Sequence, residues 1–257
     1  MKRRRVLRKI HLKAQWELER MRVANRIVGE VLQELKESVA PGMTTKDLDD
    51  LAVRGIEKRG AKPAFLGYAG YPASLCVSIN YEVVHGIPSA SRLLAEGDLV
   101  SLDLGAIYQD YYGDAALSVA VGKASSKVFD LIKVTEGALY EGISQARVGN
   151  RLQDISFAVQ HFAESRGYSV VRKFVGHGIG RNLHEPPEVP NYGKPGQGPL
   201  LKAGMCIAIE PMVNEGGSDV QVLSDGWTAV TVDRSLSAHF EHTIAITKEG
   251  AEILSKV

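Results

Sequence analysis

The segment DLVSLDLGAIYQDYYGDAALSVAV, residues 98–121, consists of two apolar runs around a polar turn and predicts a β-hairpin. If the turn centres on Tyr108 and Gln109, Asp103 and Asp114 lie directly opposite each other. Opposed like charges destabilise a sheet, and burying them without a partner costs more free energy. One such Asp would more often cap a backbone amide or pair with an arginine. Two aligned across one hairpin predict a site for one or two divalent cations.

The composition is that of an ordinary folded enzyme. The 257 residues are 44% hydrophobic and 24% charged, and the net charge of +1 indicates no polyanionic partner for the body of the protein. Two cysteines, Cys76 and Cys206, form no disulfide framework, so we expect a reducing cytoplasm. No apolar run approaches membrane-spanning length, so we expect no membrane association.

The first thirteen residues, MKRRRVLRKIHLK, are strongly basic and lack the apolar stretch of a secretory signal. We expect residues 1–13 to form a basic tail and residues 14–257 a single domain. The tail could contact ribosomal RNA or another anionic surface. A solvated tail or the start of a helix is the commoner behaviour of such charge runs.

The order of predicted elements repeats along the chain. Apolar spacing predicts helices over 13–39 and 44–60, the second opened by a capping box of Thr44 and Asp47, and then strands at 74–79, 98–104 and 111–121. Helices follow over 126–146 and 150–166, with Asn150 as the N-cap, and then strands at 205–213, 220–223, 228–232 and 240–247. This repetition predicts one α+β domain of two pseudo-symmetric halves without a linker.

The second half also supplies a carboxylate pair. Asp225–Gly226 is a strong two-residue turn signal, and the register it sets places Glu210 opposite Glu241. One β-bulge in the intervening residues would shift that pairing. Each half would then present two carboxylates, which together with an imidazole make a two-metal site.

Three histidines have settings suited to a site. His177 lies between glycines in FVGHGIG and is a candidate metal ligand, and His184, seven residues later, suits the substrate better than the metal. His85 follows a predicted strand at a loop mouth. His242 would point away from Glu241 and is predicted to be structural, and no role is assigned to three others: His11, His161 and His239.

Several of these segments together resemble the bacterial type I methionine aminopeptidases. They are CVSINYEVVHGIP, GDLVSLDLGAIYQDYYGD, GHGIGRNLHEPPEVPNYG, AIEPM and DGWTAVTVDRSLSAHFEHT, and the resemblance runs from about residue 14 to the C-terminus. It implies the pita-bread fold of creatinases and aminopeptidases, with a dinuclear metal centre between two halves. It also implies a monomeric hydrolase that removes the first methionine from nascent proteins when the second residue is small and uncharged.

The resemblance further implies a role for each matching residue. Two divalent ions, Mn, Fe(II) or Co with Zn as a possibility, would be held by five ligands: Asp103, Asp114, His177, Glu210 and Glu241. Asp114 and Glu241 would bridge the ions. Glu210 would act as general base and then general acid towards a water activated by the ions, His184 would stabilise the oxyanion, and His85 would lie near the leaving nitrogen.

A methionine pocket is implied as well. Its lining would be Phe65, Tyr68, Tyr71, Cys76 and Trp227, although ordinary core packing would explain Phe65 and Cys76 equally well. Phe65 stands where the family frequently has a small residue such as cysteine, and Leu183 where it frequently has an aromatic residue. Two other functions stay open: a proline-specific peptidase of the same fold, which would carry a larger N-terminal domain, and a non-catalytic binding protein, which would usually lack metal ligands.

Overall fold

The secondary structure follows the predicted order of two helices and then strands, twice. The structure is a computed structural model that describes residues 9–256, in which the helices are α1 (Gln15–Ser38), α2 (Thr45–Lys58), α3 (Ser126–Ser144) and α4 (Leu152–Glu164), with a 3₁₀ turn at Tyr68–Gly70. The strands of the first half are β1 (Lys62–Pro63), β2 (Leu75–Ile79), β3 (Glu82–Val84), β4 (Leu99–Tyr108) and β5 (Tyr111–Ala120). Those of the second half are β6 (Ser169–Val170), β7 (Gly176–Gly178), β8 (Glu185–Val189), β9 (Cys206–Ile209), β10 (Met212–Asn214), β11 (Val220–Val222), β12 (Ala229–Thr231), β13 (Ser237–His239), β14 (Glu241–Ile246) and β15 (Ala251–Ile253).

One large antiparallel sheet joins the two halves. Its central path is β1-β4-β5-β14-β9-β7-β8, with β2 added beside β4 and β15 beside β14. Two three-stranded sheets, β13-β10-β6 and β11-β12-β3, complete the fold. The predicted α+β pita-bread fold with two halves is therefore confirmed, and the two halves meet where β5 pairs with β14.

Each pair of helices covers its own half of the sheet. Side chains of α1 and α2 pack with Val100, Leu102 and Leu104 of β4, and those of α3 and α4 pack with Ile244 and Ile246 of β14. Because side chains alternate along a strand, the odd-numbered residues of these two strands face away from the helices. This alternation places Asp103 and Glu241 on the face that the helices leave free.

The N-terminal cap predicted for α2 is correct, and the one predicted for α4 is not. The capping box at α2 is confirmed, since Asp47 donates its backbone N–H to the Thr44 hydroxyl and its carboxylate accepts from the Thr44 N–H. The prediction of Asn150 as the N-cap of α4 is wrong. The helix starts after Arg151, whose N–H donates to the Asp154 carboxylate at 2.7 Å, and the Asn150 amide donates instead to the Gln145 carbonyl.

The first hairpin turns one residue later than predicted. Gln109 and Asp110 both have positive φ, at 46° and 66°, as the two central residues of a type I′ turn require. Asp103 therefore pairs with Ala116, and Asp114 pairs with Gly105. The prediction that the two aspartates lie directly opposite is wrong, but they still share one face of the sheet, two residues apart along the ladder.

The register set by Asp225–Gly226 is confirmed. Val222 pairs with Ala229, and the same register continues to the pair of Ile209 and His242. The strand predicted over 205–213 is interrupted at Glu210 and Pro211, because proline has no N–H for the ladder. Glu210 consequently follows the end of β9 and lies level with Glu241.

The basic N-terminal stretch is described only in part. Residues 1–8 of the predicted tail lie outside the described residues, whereas the Lys13 side chain is 2% exposed and donates to Glu185 at 2.6 Å. The boundary between tail and domain stays a prediction. Within residues 9–256, no helix combines the length and the apolar character needed to span a bilayer.

Helix α1 approaches strand β5 so closely that a side chain has no room at Gly113. A Cβ added there would lie 2.6 Å from the Ala24 carbonyl carbon and 2.7 Å from the Asn25 nitrogen. We expect Gly113→Ala to lower the free energy of unfolding by about 1–3 kcal/mol or more, because backbone atoms must move. Urea unfolding followed by circular dichroism measures the change. Gly217→Ala is the matched control, since its Cβ would meet only Asp233 at an ordinary 3.5 Å, and an equal loss in both variants would contradict the prediction.

Candidate metal centre and substrate cavity

Five metal-ligating side chains converge from consecutive strands of the large sheet. They come from β4, β5, β14, the end of β9, and β7, and they are Asp103, Asp114, Glu241, Glu210 and His177. One oxygen of Asp114, one of Glu241 and one nitrogen of His177 lie within 4.8 Å of one another. His177 Nε2 is 3.7 Å from Asp114 Oδ2 and 3.6 Å from Glu210 Oε1. The two halves of the sheet thus bring all five predicted ligands to one place.

Ala116 explains how three strands can present carboxylates side by side. It is the cross-strand partner of Asp103 on β4 and of Glu241 on β14, so these three residues form one row across the sheet. Asp114 lies two residues along β5 on the same face. Because the Ala116 side chain is a single methyl group, the two carboxylates beside it can lean towards each other over the same space.

The carboxylates lack the partners that buried acids normally have. Asp103 Oδ1, Asp114 Oδ1 and Glu241 Oε1 are buried without a hydrogen-bond partner in the described part of the chain. The only cationic-type groups within 4.0 Å of the cluster among residues 9–256 are histidine rings. Unpartnered buried acids of this kind are costly. Divalent cations among these oxygens would satisfy them, so the residues fit a metal centre.

The orientation of His177 supports the same conclusion. Its Nδ1–H donates to the Gly178 carbonyl at 2.9 Å, which leaves the lone pair of Nε2 directed at the carboxylates. Burial lowers the pKa of His177 to about 3, so the ring is neutral at physiological pH. A lone pair facing carboxylate oxygens at less than 4 Å is unfavourable unless a proton or a metal cation lies between them. A neutral imidazole fixed through its other nitrogen is the usual form of a metal-ligating histidine.

Burial raises the pKa of every carboxyl group in the cluster. It raises the pKa of Asp103 to about 7. The pKa values of Asp114, Glu210 and Glu241 are raised by burial and then by the neighbouring negative charges. Bound dications reverse this effect, because they favour the ionised form of their ligands. Proton binding and metal binding therefore compete at this site.

A cavity of about 160 Å³ adjoins the five ligands. The predicted pocket residues line it together with the ligands and Leu183: Phe65, Tyr68, Tyr71, Cys76, His85, His184 and Trp227. Phe65, Tyr71 and Cys76 are buried, and the Tyr71 hydroxyl donates to the Gly86 carbonyl at 2.9 Å. Since that hydroxyl is already satisfied, the ring presents an apolar surface to the cavity.

His184 and His85 both line this cavity, each in contact with different rings. His184 is in ring contact with His177 at 4.2 Å, and its Nδ1 shares a 2.6 Å hydrogen bond with the Tyr68 hydroxyl. His85 packs edge-on against Phe174 and Trp227, and burial together with His184 lowers its pKa to about 4. Burial also lowers the pKa of His184. Both rings are therefore neutral and able to donate or accept a hydrogen bond.

Two further histidines near the ligands, His242 and His239, can be compared with what the sequence predicts for them. His242 points to the helix side, where Nδ1 bonds Ser255 at 2.8 Å, in agreement with its predicted structural role. His239, to which no role was assigned, is buried with its Nε2 unpartnered among the described residues and 4.0 Å from Glu210 Oε2. Its position two residues before Glu241, on the same face of an extended segment, is the sequence signal that could have identified it.

The raised pKa of Asp103 predicts how metal-free protein responds to pH. An acid whose pKa is higher in the folded than in the unfolded state binds more protons when folded, so stability falls as pH rises from about 4 to about 7. Asp103→Asn cannot ionise. In EDTA-treated protein, we expect the variant to gain thermal stability relative to the parent between pH 5 and pH 7, by on the order of 1 kcal/mol or more. Asp219→Asn, on an exposed loop, serves as control. A difference in stability between Asp103→Asn and the parent that does not change with pH would contradict the prediction.

Comparisons with known proteins agree with this geometry. Residues 19–248 match the model of a protein family described as "Metallopeptidase family M24". The methionine aminopeptidase of Clostridium acetobutylicum is 54% identical over 96% of this chain and 98% of its own length. Methionine aminopeptidase 1 of Bacillus subtilis is 52% identical over 94% of this chain and 97% of its own length.

Solved structures show the same relationship. The crystal structure of methionine aminopeptidase from Thermotoga maritima superposes with a TM-score of 0.96 at 48% identity, covering 97% of this chain and 100% of that one. A prolidase from Pyrococcus furiosus has a TM-score of 0.78 at 24% identity and covers 96% of this chain but 65% of its own, so it shares the fold alone. Since the relatives match almost from end to end, the chain belongs to the methionine aminopeptidases of metallopeptidase family M24.

Proposed function

We propose that this protein hydrolyses the first peptide bond of nascent polypeptides that begin with methionine and have a small, uncharged second residue. The observation that carries the proposal is the largely apolar cavity directly beside five candidate metal ligands, three of which, Asp103, Asp114 and Glu241, keep a buried carboxylate oxygen without a partner among residues 9–256. The near-complete match to curated methionine aminopeptidases supports the same reaction. As a metallopeptidase of family M24, the chain is a metal-dependent hydrolase.

Five residues would hold two divalent ions: Asp103, Asp114, His177, Glu210 and Glu241. Asp114 and Glu241, which come from the two strands that meet at the centre of the sheet, would be the residues to hold both ions. Four carboxylates with one imidazole suit Mn, Fe(II) or Co, and also permit Zn. Such ions supply Lewis acidity, which lowers the pKa of water and polarises a carbonyl group.

Glu210 would be the residue that moves the proton. Its side chain is 14% exposed and lines the cavity, and its backbone carbonyl accepts from the Asn191 amide at 3.0 Å. Burial raises its pKa, which brings the carboxylate towards the range where it accepts a proton from water and later returns it to the leaving amine. His184, held by Tyr68, would donate to the developing oxyanion, and His85 would lie beside the departing nitrogen.

The shape of the cavity accounts for the preference for methionine. Phe65, Tyr71 and Trp227 surround it with ring surfaces, with Tyr71 and Trp227 packed edge to face at 5.1 Å. An unbranched thioether fits such a slot, because it is apolar and adapts its shape by rotation. Phe65 packs closely over Gly105, where an added Cβ would lie 2.6 Å from its ring. The Phe65 ring therefore has little room to move, and this rigid wall of the pocket favours an unbranched substrate side chain over branched ones.

The cellular setting is part of the proposal. We expect a monomeric enzyme of the cytoplasm that acts on N-terminal peptides of nascent proteins as they leave the ribosome. The basic start of the chain suits contact with ribosomal RNA, by electrostatic attraction to phosphate. A non-catalytic binding protein and a proline-specific aminopeptidase are the alternatives that the first experiment separates.

The first experiment is turnover of the tripeptide Met-Ala-Ser by EDTA-treated protein with each ion added back. We expect methionine release that depends on added Mn, Fe(II) or Co, and little release from Met-Leu-Ser.

We expect Asp114→Asn to reduce kcat by at least about 10³-fold and to lower the bound metal measured by mass spectrometry, because a bridging ligand is lost. Asp110→Asn, in the exposed turn of the same hairpin, is the control. Full metal content in Asp114→Asn would contradict the bridging role, and no turnover with any ion would contradict the function.

His184→Ala tests the assignment of that residue to the substrate instead of the metal. We expect kcat to fall by about 10²–10³-fold, as for loss of an oxyanion donor, with metal content unchanged. Tyr68→Phe removes only the hydroxyl that holds His184 Nδ1 and should cause a smaller fall in kcat. Loss of metal in His184→Ala would show that this histidine is a ligand.

A further inference from the structure

A second, larger depression of about 560 Å³ adjoins the catalytic cavity. The two share Tyr68, Leu183 and His184 in their linings, so they border each other at the proposed oxyanion donor. If the first residue of a substrate occupies the inner cavity, the adjoining depression is the surface that can receive the residues after the scissile bond. The outer depression is called the exit groove below.

The outer wall of the exit groove is the segment just before α1, which is fixed to the body. Lys13 Nζ donates to Glu185 Oε2 at 2.6 Å with both side chains almost buried, and the Lys13 N–H donates to the Gly204 carbonyl at 2.7 Å. His11 Nε2 lies 3.2 Å from the Glu17 carboxylate. Because Glu185 follows His184 directly, the same contacts tie this wall to the rim of the catalytic cavity.

Both acidic side chains of the exit groove are already paired. Glu17 accepts hydrogen bonds from the Ala14 N–H and the Tyr111 hydroxyl, each at 2.8 Å, and has His11 beside it. Glu185 accepts from Lys13. Lys13 compensates the charge of Glu185, and Glu17 keeps its charge but is held by donors of the protein, so the three basic side chains of the groove, Lys9, Lys13 and Arg181, outnumber its two acidic ones.

Two basic side chains of the groove have no carboxylate partner among residues 9–256: Lys9 and Arg181. The Arg181 guanidinium is held over the Tyr111 ring at 5.0 Å and the Trp16 ring at 5.9 Å, so its position is fixed by aromatic contacts that leave its charge unneutralised. The surface that a departing peptide would follow is therefore positively charged.

We propose that the exit groove binds the substrate from its third residue onwards and favours acidic side chains there over basic ones. The inference deepens the proposed function and rests on it, because it takes the inner cavity to hold the first methionine. Weak contacts of this kind act on the ground state and the transition state alike, so the preference should appear in KM more than in kcat.

The test compares amidated peptides that differ only at positions three and four: Met-Ala-Asp-Asp-Ser, Met-Ala-Asn-Asn-Ser and Met-Ala-Lys-Lys-Ser. We expect kcat/KM at low salt to fall in that order by about 2–5-fold per step, the size that exposed ion pairs produce. Added salt at about 0.5 M should compress the differences by screening. The variant Lys9→Gln with Arg181→Gln should lose most of the discrimination, and Arg181→Lys should retain it in the presence of Lys9. Arg54→Gln, on the exposed face of α2, is the matched control and should keep the full ratio.

Equal kcat/KM for the three peptides, or faster cleavage of the lysine peptide, would overturn the proposal. So would discrimination that persists in the Lys9→Gln, Arg181→Gln variant, provided that its melting temperature shows a folded protein. Cleavage of Met-Ala-Ser-amide by the parent separates the two hypotheses. If this short peptide is not cleaved, the proposed function fails; if it is cleaved without any charge preference in the longer ones, only the exit groove fails.

Discussion

Mutual repulsion among buried carboxylates is the constraint on which the rest of this structure depends. Asp103, Asp114 and Glu241 each keep an oxygen that is buried and unpartnered in residues 9–256, and no lysine or arginine there neutralises them. Either protons or cations must compensate the charge. A site built in this way binds cations strongly because its own carboxylates repel each other without them. Its affinity for metal and its instability without metal have the same origin.

The fold supplies this arrangement through the alternation of side chains along its strands. Even-numbered residues of β4 and β14 pack under the helices, so the odd-numbered residues are forced to the opposite face. The close approach of α1 to Gly113 has a second consequence, since the Asn25 side chain accepts the Asp114 N–H at 3.2 Å and Thr243 donates to the Asp114 carbonyl at 2.8 Å. The backbone of Asp114, a predicted metal ligand, is thereby held from both halves. Packing on one face thus fixes the geometry of the ligands on the other.

The sequence predicted the two halves and named the candidate ligand and pocket residues that the structure brings together, but it did not predict every register. The pairing of the second hairpin was predicted correctly from Asp225–Gly226, because Gly226, with φ of 80°, suits a tight turn and is recognisable in the sequence. The first turn has no glycine, and Gln109 and Asp110 adopt positive φ that the residue types alone do not reveal, so the predicted pairing was one residue off. Because side chains of Asp103 and Asp114 nevertheless project from the same face, the error did not affect the ligand set. His239 was missed for another reason: Glu210, whose Oε2 lies 4.0 Å from its Nε2, follows the end of β9, and only the folded sheet brings the two near each other.

The two adjoining cavities differ in the charge of their linings. The inner cavity collects acids that need cations, whereas the outer one retains the charges of Lys9 and Arg181 after its own acids are paired. Had Glu17 and Glu185 been left free at the rim, they would compete with the inner site for divalent ions and repel an acidic substrate. Their hydrogen bonds to Tyr111 and Lys13, together with other contacts, lower the pKa of both carboxyl groups although burial opposes the effect. They therefore stay ionised as structural anions that fasten the wall of the groove, and the cation-binding carboxylates are confined to the depth where a peptide bond can reach them.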